Sequence, residues 1–204
     1  MNELDKIRTI VIDDEPASLE RMEYVLSMFQ EIEVIHYTMD PEKAVQLIID
    51  EKPDLVFVDV EMPVKNGFTV LSEVHEVGYY PGFIFVTAYD QYAIKAIKQE
   101  ALDYLLKPID IEELKVAIDH YKTRHSYIKS INLNEVPICA NLSDREKEVL
   151  ILAMKGQTSR EIASQLFISK ATIDSHRQNI LLKTDSKNFS ELSFKIIGID
   201  FKKQ

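Results

Sequence analysis

Cysteine is nearly absent from this chain: Cys139 is the single one in 204 residues. That excludes an internal disulfide framework and fits a reducing compartment. Long apolar runs are missing too. None approaches the roughly 20 residues that a membrane span needs, and the start, Met1-Asn2-Glu3-Leu4-Asp5, lacks the basic-then-apolar order of a signal peptide. A cytoplasmic protein with no membrane partner is expected. The five histidines show no metal-ligand spacing, and there are no internal repeats or low-complexity segments. Positive charge is scarce in one half only. Residues 1–125 hold 12 Lys+Arg against 25 Asp+Glu, whereas residues 126–204 hold 12 against 9. An acidic half repels nucleic acid, while a mildly basic half can approach it.

The hydrophobic fraction of 46% with 28% charged residues is that of a globular protein, and the length suits one large domain or two modest ones. Short β-branched runs near 8–13, 33–38, 54–59, 82–87 and 103–107 alternate with helical patterns near 16–29, 41–51, 67–76, 90–99 and 110–125. Pro16 and Pro41 suit first helical turns, Asp40 is an N-cap candidate, and Pro53 stops the second helix. Five such units predict a doubly wound five-stranded parallel sheet over residues 1–125. The period breaks over 126–140, which reads as a linker. From 141 to 204 the pattern is helical, predicting a small all-α four-helix domain. There Ser143 and Glu146 form a capping box, Gly156 is a stop, and Ser169 caps a longer helix reaching Lys183.

Four polar groups sit at or just beyond strand ends: Asp13-Asp14, Asp59, Thr87 and Lys107. In a parallel sheet those ends gather on one edge, where ligands bind. Three carboxylates, a hydroxyl and an ammonium there describe a cation-assisted phosphoryl site. A carboxylate can attack a phosphoryl group. The two anions approach only with charge neutralised, and Mg²⁺ suits a cluster of few carboxylates. Lys107 can pair with the incoming group as a point charge, and Thr87 can donate to its oxygens. Each residue alone is an ordinary turn or cap residue; the joint pattern carries the reading.

Residues 6–125 resemble the receiver domain of two-component response regulators. The matching segments are Ile10-Val11-Ile12-Asp13-Asp14-Glu15-Pro16, Val58-Asp59-Val60-Glu61-Met62-Pro63 with Asn66-Gly67, Val86-Thr87-Ala88, and Tyr104-Leu105-Leu106-Lys107-Pro108. The resemblance implies a flavodoxin-like receiver in which Asp59 accepts phosphate from a sensor histidine kinase. Asp14 would hold Mg²⁺ directly, Asp13 through water, and Glu61 through its backbone carbonyl. Thr87 and Tyr104 would form the switch, and Glu61 and Tyr89 would tune dephosphorylation. The segments 86–93 and 101–108 look most like receivers that carry a LytTR-type output.

The second half is of another kind. Two helices with a tight turn between them suggest a helix-turn-helix. Ile162, Ala163 and Leu166 would pack the first; Ile173, Ile180 and His176 would face the core along the second. Ala171, Asp174, Ser175 and Gln178 fall on the opposite face, with Lys170, Arg177 and Lys183 placed to reach phosphates. Residues 141–183 resemble the LuxR-type output of NarL/FixJ regulators, through Leu142–Leu150, Gly156, Glu161-Ile162-Ala163, Leu166, Ile168-Ser169, Thr172-Ile173 and His176–Lys183. That resemblance places Thr172 among the DNA contacts and His176 at the DNA-proximal edge, so both readings of His176 stand. Thr184-Asp185-Ser186 departs from the family, which continues there with an apolar residue, Gly and another apolar residue. Phe189 stands where Arg is common.

The expected function is a phosphorylation-controlled transcription regulator that binds double-stranded DNA, forms a homodimer on activation, and has RNA polymerase as a candidate partner. Its own chemistry would be limited to self-phosphorylation and dephosphorylation at Asp59. A Mg²⁺-dependent phosphohydrolase is the enzymatic alternative, although Asp13 and Asp14 are adjacent rather than Asp-x-Asp and no cap domain is visible. A phosphorylation-independent regulator is the third reading.

Overall fold

In the computed structural model the described residues are 6–98 and 101–200. The chain start at 1–5 and Gln99, the expected end of the fourth helical pattern, lie outside them. The chain forms two compact units, one from residues up to 76 and 81–121, the other from 77–80 and 122 onward. No helix among the described residues is long and apolar enough to cross a membrane.

The first unit runs β1 (Ile7–Ile12), α1 (Pro16–Leu26), β2 (Ile32–Thr38), α2 (Pro41–Glu51), β3 (Leu55–Val58), α3 (Gly67–Glu76), β4 (Gly82–Thr87), α4 (Ala93–Lys98), β5 (Asp103–Leu106) and the first part of α5 (Ile111–Ser130), whose residues from 122 onward belong to the second unit. Every strand pairing is parallel, in the order β2-β1-β3-β4-β5. The chain steps outward from β1 to β2 and then returns to β3 on β1's other side, so the switch point falls between β1 and β3. All of β3 is buried, as a strand covered on both faces must be. Side chains of β4 alternate across the sheet. Ile84 and Val86 join Met22, Val25 and Leu26 of α1 and Leu114, Ala117 and Ile118 of α5 in one core. Phe85 points the other way and meets Phe68 of α3 with ring centroids 4.4 Å apart.

Local signals set the helix ends. Asp40 accepts from the backbone N–H groups of Glu42 and Lys43, with Pro41 at the first helical position. Lys52 closes α2 in the left-handed region at φ 49°. By contrast Glu15 offers no side-chain cap to α1, leaving Pro16 to start it.

The second unit contains α6 (Asp144–Met154), α7 (Ser159–Gln165), α8 (Lys170–Lys183) and α9 (Phe189–Asp200). Ser143 and Glu146 form the expected capping box, Ser169 caps α8, and Gly156 ends α6 at φ 82°. Thr158 and Glu161 form a second capping box, on α7. Segment 126–140, read as a linker, is largely structured: α5 continues to Ser130, and Leu133, Val136 and Cys139 are buried in the core of the helical unit. Those three apolar residues need cover, and α6 and its neighbours supply it. Burial pushes the Cys139 thiol up to about 11, which fits an inert sulfur. The departure at 184–186 is accommodated without glycine. Asp185 itself adopts the left-handed conformation at φ 46°, which Asp tolerates better than most residues, while the buried Thr184 hydroxyl donates to the Ile180 carbonyl.

Glu146 ties this unit together. Its carboxylate accepts from the Ser143 backbone and hydroxyl and pairs with Lys183 of α8 at 2.7 Å, with Glu146 3% exposed. Burial alone would raise its pKa, but the bonds to Lys183 and Ser143 outweigh it and hold the carboxyl below its ordinary 4.5. Its folded-state stabilisation is therefore complete above pH 4.5 and fades as pH falls through the lowered value. Glu146→Ala is expected to cost about 1–2 kcal/mol at pH 7, as for a lost helix cap. Urea unfolding should show that gap from the wild type narrowing at acid pH.

Candidate functional site

The parallel register delivers the polar groups to one edge. Ile12 pairs with Val58, so Asp13 and Asp59 emerge side by side. The backbone ladder continues past the strands: Asp59 N–H donates to the Ile12 carbonyl at 2.9 Å, Asp13 N–H to the Thr38 carbonyl at 3.1 Å, and Lys107 N–H to the Thr87 carbonyl at 2.8 Å. The backbones of Asp13, Asp59 and Lys107 are thus tied to the sheet.

Asp13, Asp14 and Asp59 each offer an oxygen, and these lie within 4.8 Å of one another. The ammonium of Lys107 sits among them, 2.7 Å from Asp13 Oδ2 and 2.8 Å from Asp59 Oδ2. Burial pushes the Asp13 carboxyl above its ordinary range, and Lys107 pulls it back only in part. For Lys107, burial opposes the charge, but the bonds to Asp13 and Asp59 outweigh it and hold the ammonium above its usual pKa. The other Asp59 oxygen, Oδ1, accepts from the Glu61 backbone N–H at 3.3 Å. Thr87 is fully buried, and its hydroxyl has no hydrogen-bond partner among the described residues. A buried unpaired hydroxyl is uncommon, and this one stands at the end of β4, the strand beside β3. All-oxygen donors of this charge suit a hard divalent cation, so the cluster could hold a metal ion.

Tyr104 is half-buried, and its hydroxyl donates to the Tyr89 carbonyl. Two further residues complete the site. Tyr92 donates from its hydroxyl to the Glu61 carboxylate; no spacing rule connects positions 61 and 92. Gly67 opens α3 against the site, and a Cβ there would lie 2.3 Å from the Asp59 carbonyl oxygen. Its place in the Asn66-Gly67 pair was the available signal.

On α8 the charged residues are arranged differently from the simple amphipathic reading. Lys170 pairs with Asp174 at 2.7 Å, and Lys183 is held by Glu146. Arg177, expected to reach phosphates, is turned inward and 6% exposed. Its guanidinium lies 4.5 Å from the Phe189 ring centroid, and Nη1 donates to Ser159 Oγ at 3.4 Å. The inward stripe is Ile173, Arg177 and Ile180, whose i, i+4, i+7 spacing defines one helix face; His176 is only half-buried. Phe189, standing where Arg is common, supplies the aromatic face on which Arg177 rests. Thr172, Ser175 and Gln178 are exposed on α8, with the Ser175 hydroxyl donating back to the Ala171 carbonyl.

Gly67→Ala is expected to displace the Asp59 backbone and lower stability by about 1–3 kcal/mol, the usual range for overpacking. The thermal midpoint of the variant checks this; an unchanged midpoint would contradict the close approach.

The model for the response regulator receiver domain matches residues 9–119, and that for bacterial regulatory proteins of the luxR family matches 140–194. The chain is 36% identical over 116 residues to the sensory transduction protein LytT of Bacillus subtilis, covering 57% of this chain and 48% of that one. It therefore spans about half the length of that relative. It is 29% identical over 188 residues to the uncharacterized transcriptional regulatory protein YvfU of Bacillus subtilis, covering 91% of this chain and 94% of the other. Among solved structures, a DNA-binding response regulator of the LuxR family from Staphylococcus aureus superposes with a TM-score of 0.52 at 27% identity, covering 56% of this chain and 98% of that chain. A receiver model matching over half of the residues and a LuxR-family model matching most of the remainder leave one conclusion: the chain belongs to the response regulators, a receiver domain followed by a LuxR-type helix-turn-helix domain.

Proposed function

We propose that this protein is a two-component transcription regulator in which Asp59 takes a phosphoryl group from a sensor histidine kinase. The observation that carries the reading is the cluster of Asp13, Asp14 and Asp59, with Lys107 bonded to Asp13 and Asp59, and a buried Thr87 hydroxyl at the end of β4 that has no partner among the described residues. An Asp59 carboxylate oxygen attacks phosphorus as the bond to the kinase imidazole breaks. Asp13, Asp14, Asp59 and the Glu61 backbone carbonyl would hold Mg²⁺, which when bound neutralises the charge that otherwise keeps two anions apart. Lys107 moves its ammonium from the free carboxylates toward the new phosphoryl oxygens, and Thr87 donates its hydroxyl to one of them. Movement of the Thr87 hydroxyl toward the phosphoryl group biases the segment after β4 and around β5, favouring a homodimer or release of the output domain.

In the output, α8 would enter the major groove of double-stranded DNA. Thr172, Asp174, Ser175, His176 and Gln178 face bases, and Lys170, with Arg177 and Lys183 once drawn from their present partners, faces phosphates. A dimer would span two half-sites about one DNA turn apart, with RNA polymerase as a downstream partner in the cytoplasm. The LytT and YvfU likenesses, to proteins described as a sensory transduction and a transcriptional regulatory protein, support the reading.

Incubation of the full chain with phosphoramidate and Mg²⁺, read by intact mass, should add one phosphate to the wild type and none to Asp59→Asn or to the wild type in chelator. Turnover of a small phosphate ester without stable labelling would instead favour a phosphohydrolase. Labelling that changes neither oligomeric state nor DNA affinity would favour a regulator independent of phosphorylation.

The exposed Lys170–Asp174 pair contributes little stability and can be exchanged for a phosphate contact. Asp174→Asn frees that ammonium and is expected to tighten non-specific duplex binding and steepen the log K against log salt slope by about 0.9. Fluorescence anisotropy over a salt series measures both; an unchanged slope would remove Lys170 from the phosphate contacts.

A further inference from the structure

The loop after β3 and the turn after β4 are joined by one side-chain bond across the site. Glu61 lies two residues beyond Asp59, and Tyr92 closes the short 3-10 turn Asp90–Tyr92 that follows β4. The Tyr92 hydroxyl donates to Glu61 Oε1. Glu61 is therefore held at both ends, by its N–H on Asp59 Oδ1 and by its carboxylate on Tyr92. Tyr92 is itself anchored. Its ring stands edge-on to Phe68 and to Tyr89, each at 6.1 Å between centroids, and Phe68 packs on Phe85 of the sheet. The path from the sheet core to the Glu61 carboxylate is a stack of rings ending in a hydroxyl, so the carboxylate has a fixed position where a Glu on an open loop would have many.

We propose that Tyr92 is a positioning residue that latches the Glu61 carboxylate between these two loops and so slows hydrolysis of phospho-Asp59. The proposal rests on Asp59 being the phosphoacceptor. In the hydrolysis a water oxygen bonds to phosphorus as the phosphorus–oxygen bond to Asp59 breaks. Inorganic phosphate leaves, the carboxylate is regenerated, and the water proton passes to phosphate or solvent. Attack requires a water in line with the breaking bond, and a side chain tied across the two loops restricts where that water stands. Without the phenol the Glu61 side chain is free to swing into solvent, and the approach opens.

The full chain is labelled with phosphoramidate and Mg²⁺, the donor is removed, and intact mass is followed with time. The wild type, Tyr92→Phe, Glu61→Ala, Glu61→Gln and the Tyr92→Phe/Glu61→Ala double variant are compared. Tyr92→Phe should shorten the phosphoryl half-life roughly two- to tenfold, the factor corresponding to one net hydrogen bond. Glu61→Ala should shorten it by a similar factor, and the double variant should add nothing, since both remove one interaction. Glu61→Gln, whose amide oxygen still accepts, should fall nearer the wild type than Glu61→Ala does. A general loosening of the fold would not produce that rescue or that non-additivity. A Tyr92→Phe half-life equal to or longer than wild type, or effects that multiply in the double variant, would overturn the latch while leaving the phosphoacceptor reading intact. Failure of the wild type to label would overturn both.

Discussion

The ammonium of Lys107 lies between Asp13 and Asp59, close to both, at an edge where three carboxylates approach within 4.8 Å. Two unit charges at that separation repel by about 3–4 kcal/mol at an effective dielectric near 20. A single cation bonded to two of them offsets part of that repulsion. The rest of the receiver's construction serves this arrangement. The β1–β3 pairing sets the acids side by side, the Lys107 N–H bond to Thr87 anchors the cation's backbone, and Gly67 lets α3 begin against the Asp59 carbonyl. One cation against three anions leaves the cluster electron-rich. Three acidic groups with one cation form a cluster that could hold a metal ion.

In the helical unit the corresponding device is Glu146, which caps α6 and holds Lys183 of α8. The two units use buried charge differently. In the receiver one lysine is shared between two acids. In the output an acid is surrounded by donors, so its bonding is complete and its role is to fix helix positions. This explains why Lys183 is restrained while Lys170, in an exposed pair, is exchangeable. It also leaves α8 with little unpaired positive charge, consistent with the small positive excess of this half.

Much of the receiver was legible because strand ends in a parallel sheet share one edge. Asp13, Asp14, Asp59, Thr87 and Lys107 could be brought together from strand positions alone, and the structure places all five there. The caps at Asp40, Ser143 and Ser169 were legible for a similar reason, since a cap acts within three residues. The Thr158–Glu161 box followed the same rule and was passed over. The Glu61–Tyr92 bond was not legible, because it joins two loops whose paths depend on how α3 and the turn after β4 pack. Segment 126–140 lacks a sustained period, yet its apolar residues are buried by helices later in the chain. Arg177 reads as an exposed cation by type. Its inward turn depends on Phe189, twelve residues on, arriving beneath it.

The sequence by itself determined the alternation of strands and helices, the helix caps, the edge on which the acids gather and the division into an acidic and a mildly basic half. These depend on short-range periodicity, local hydrogen bonding and composition. Only the tertiary structure decided which oxygen of Asp59 meets Lys107, that the Thr87 hydroxyl has no partner among the described residues, that Tyr92 grips Glu61, and that Arg177 rather than His176 takes the inward place on α8. Each of these is a choice among rotamers or loop paths that are nearly equal locally. Close packing against residues distant in the chain selects one.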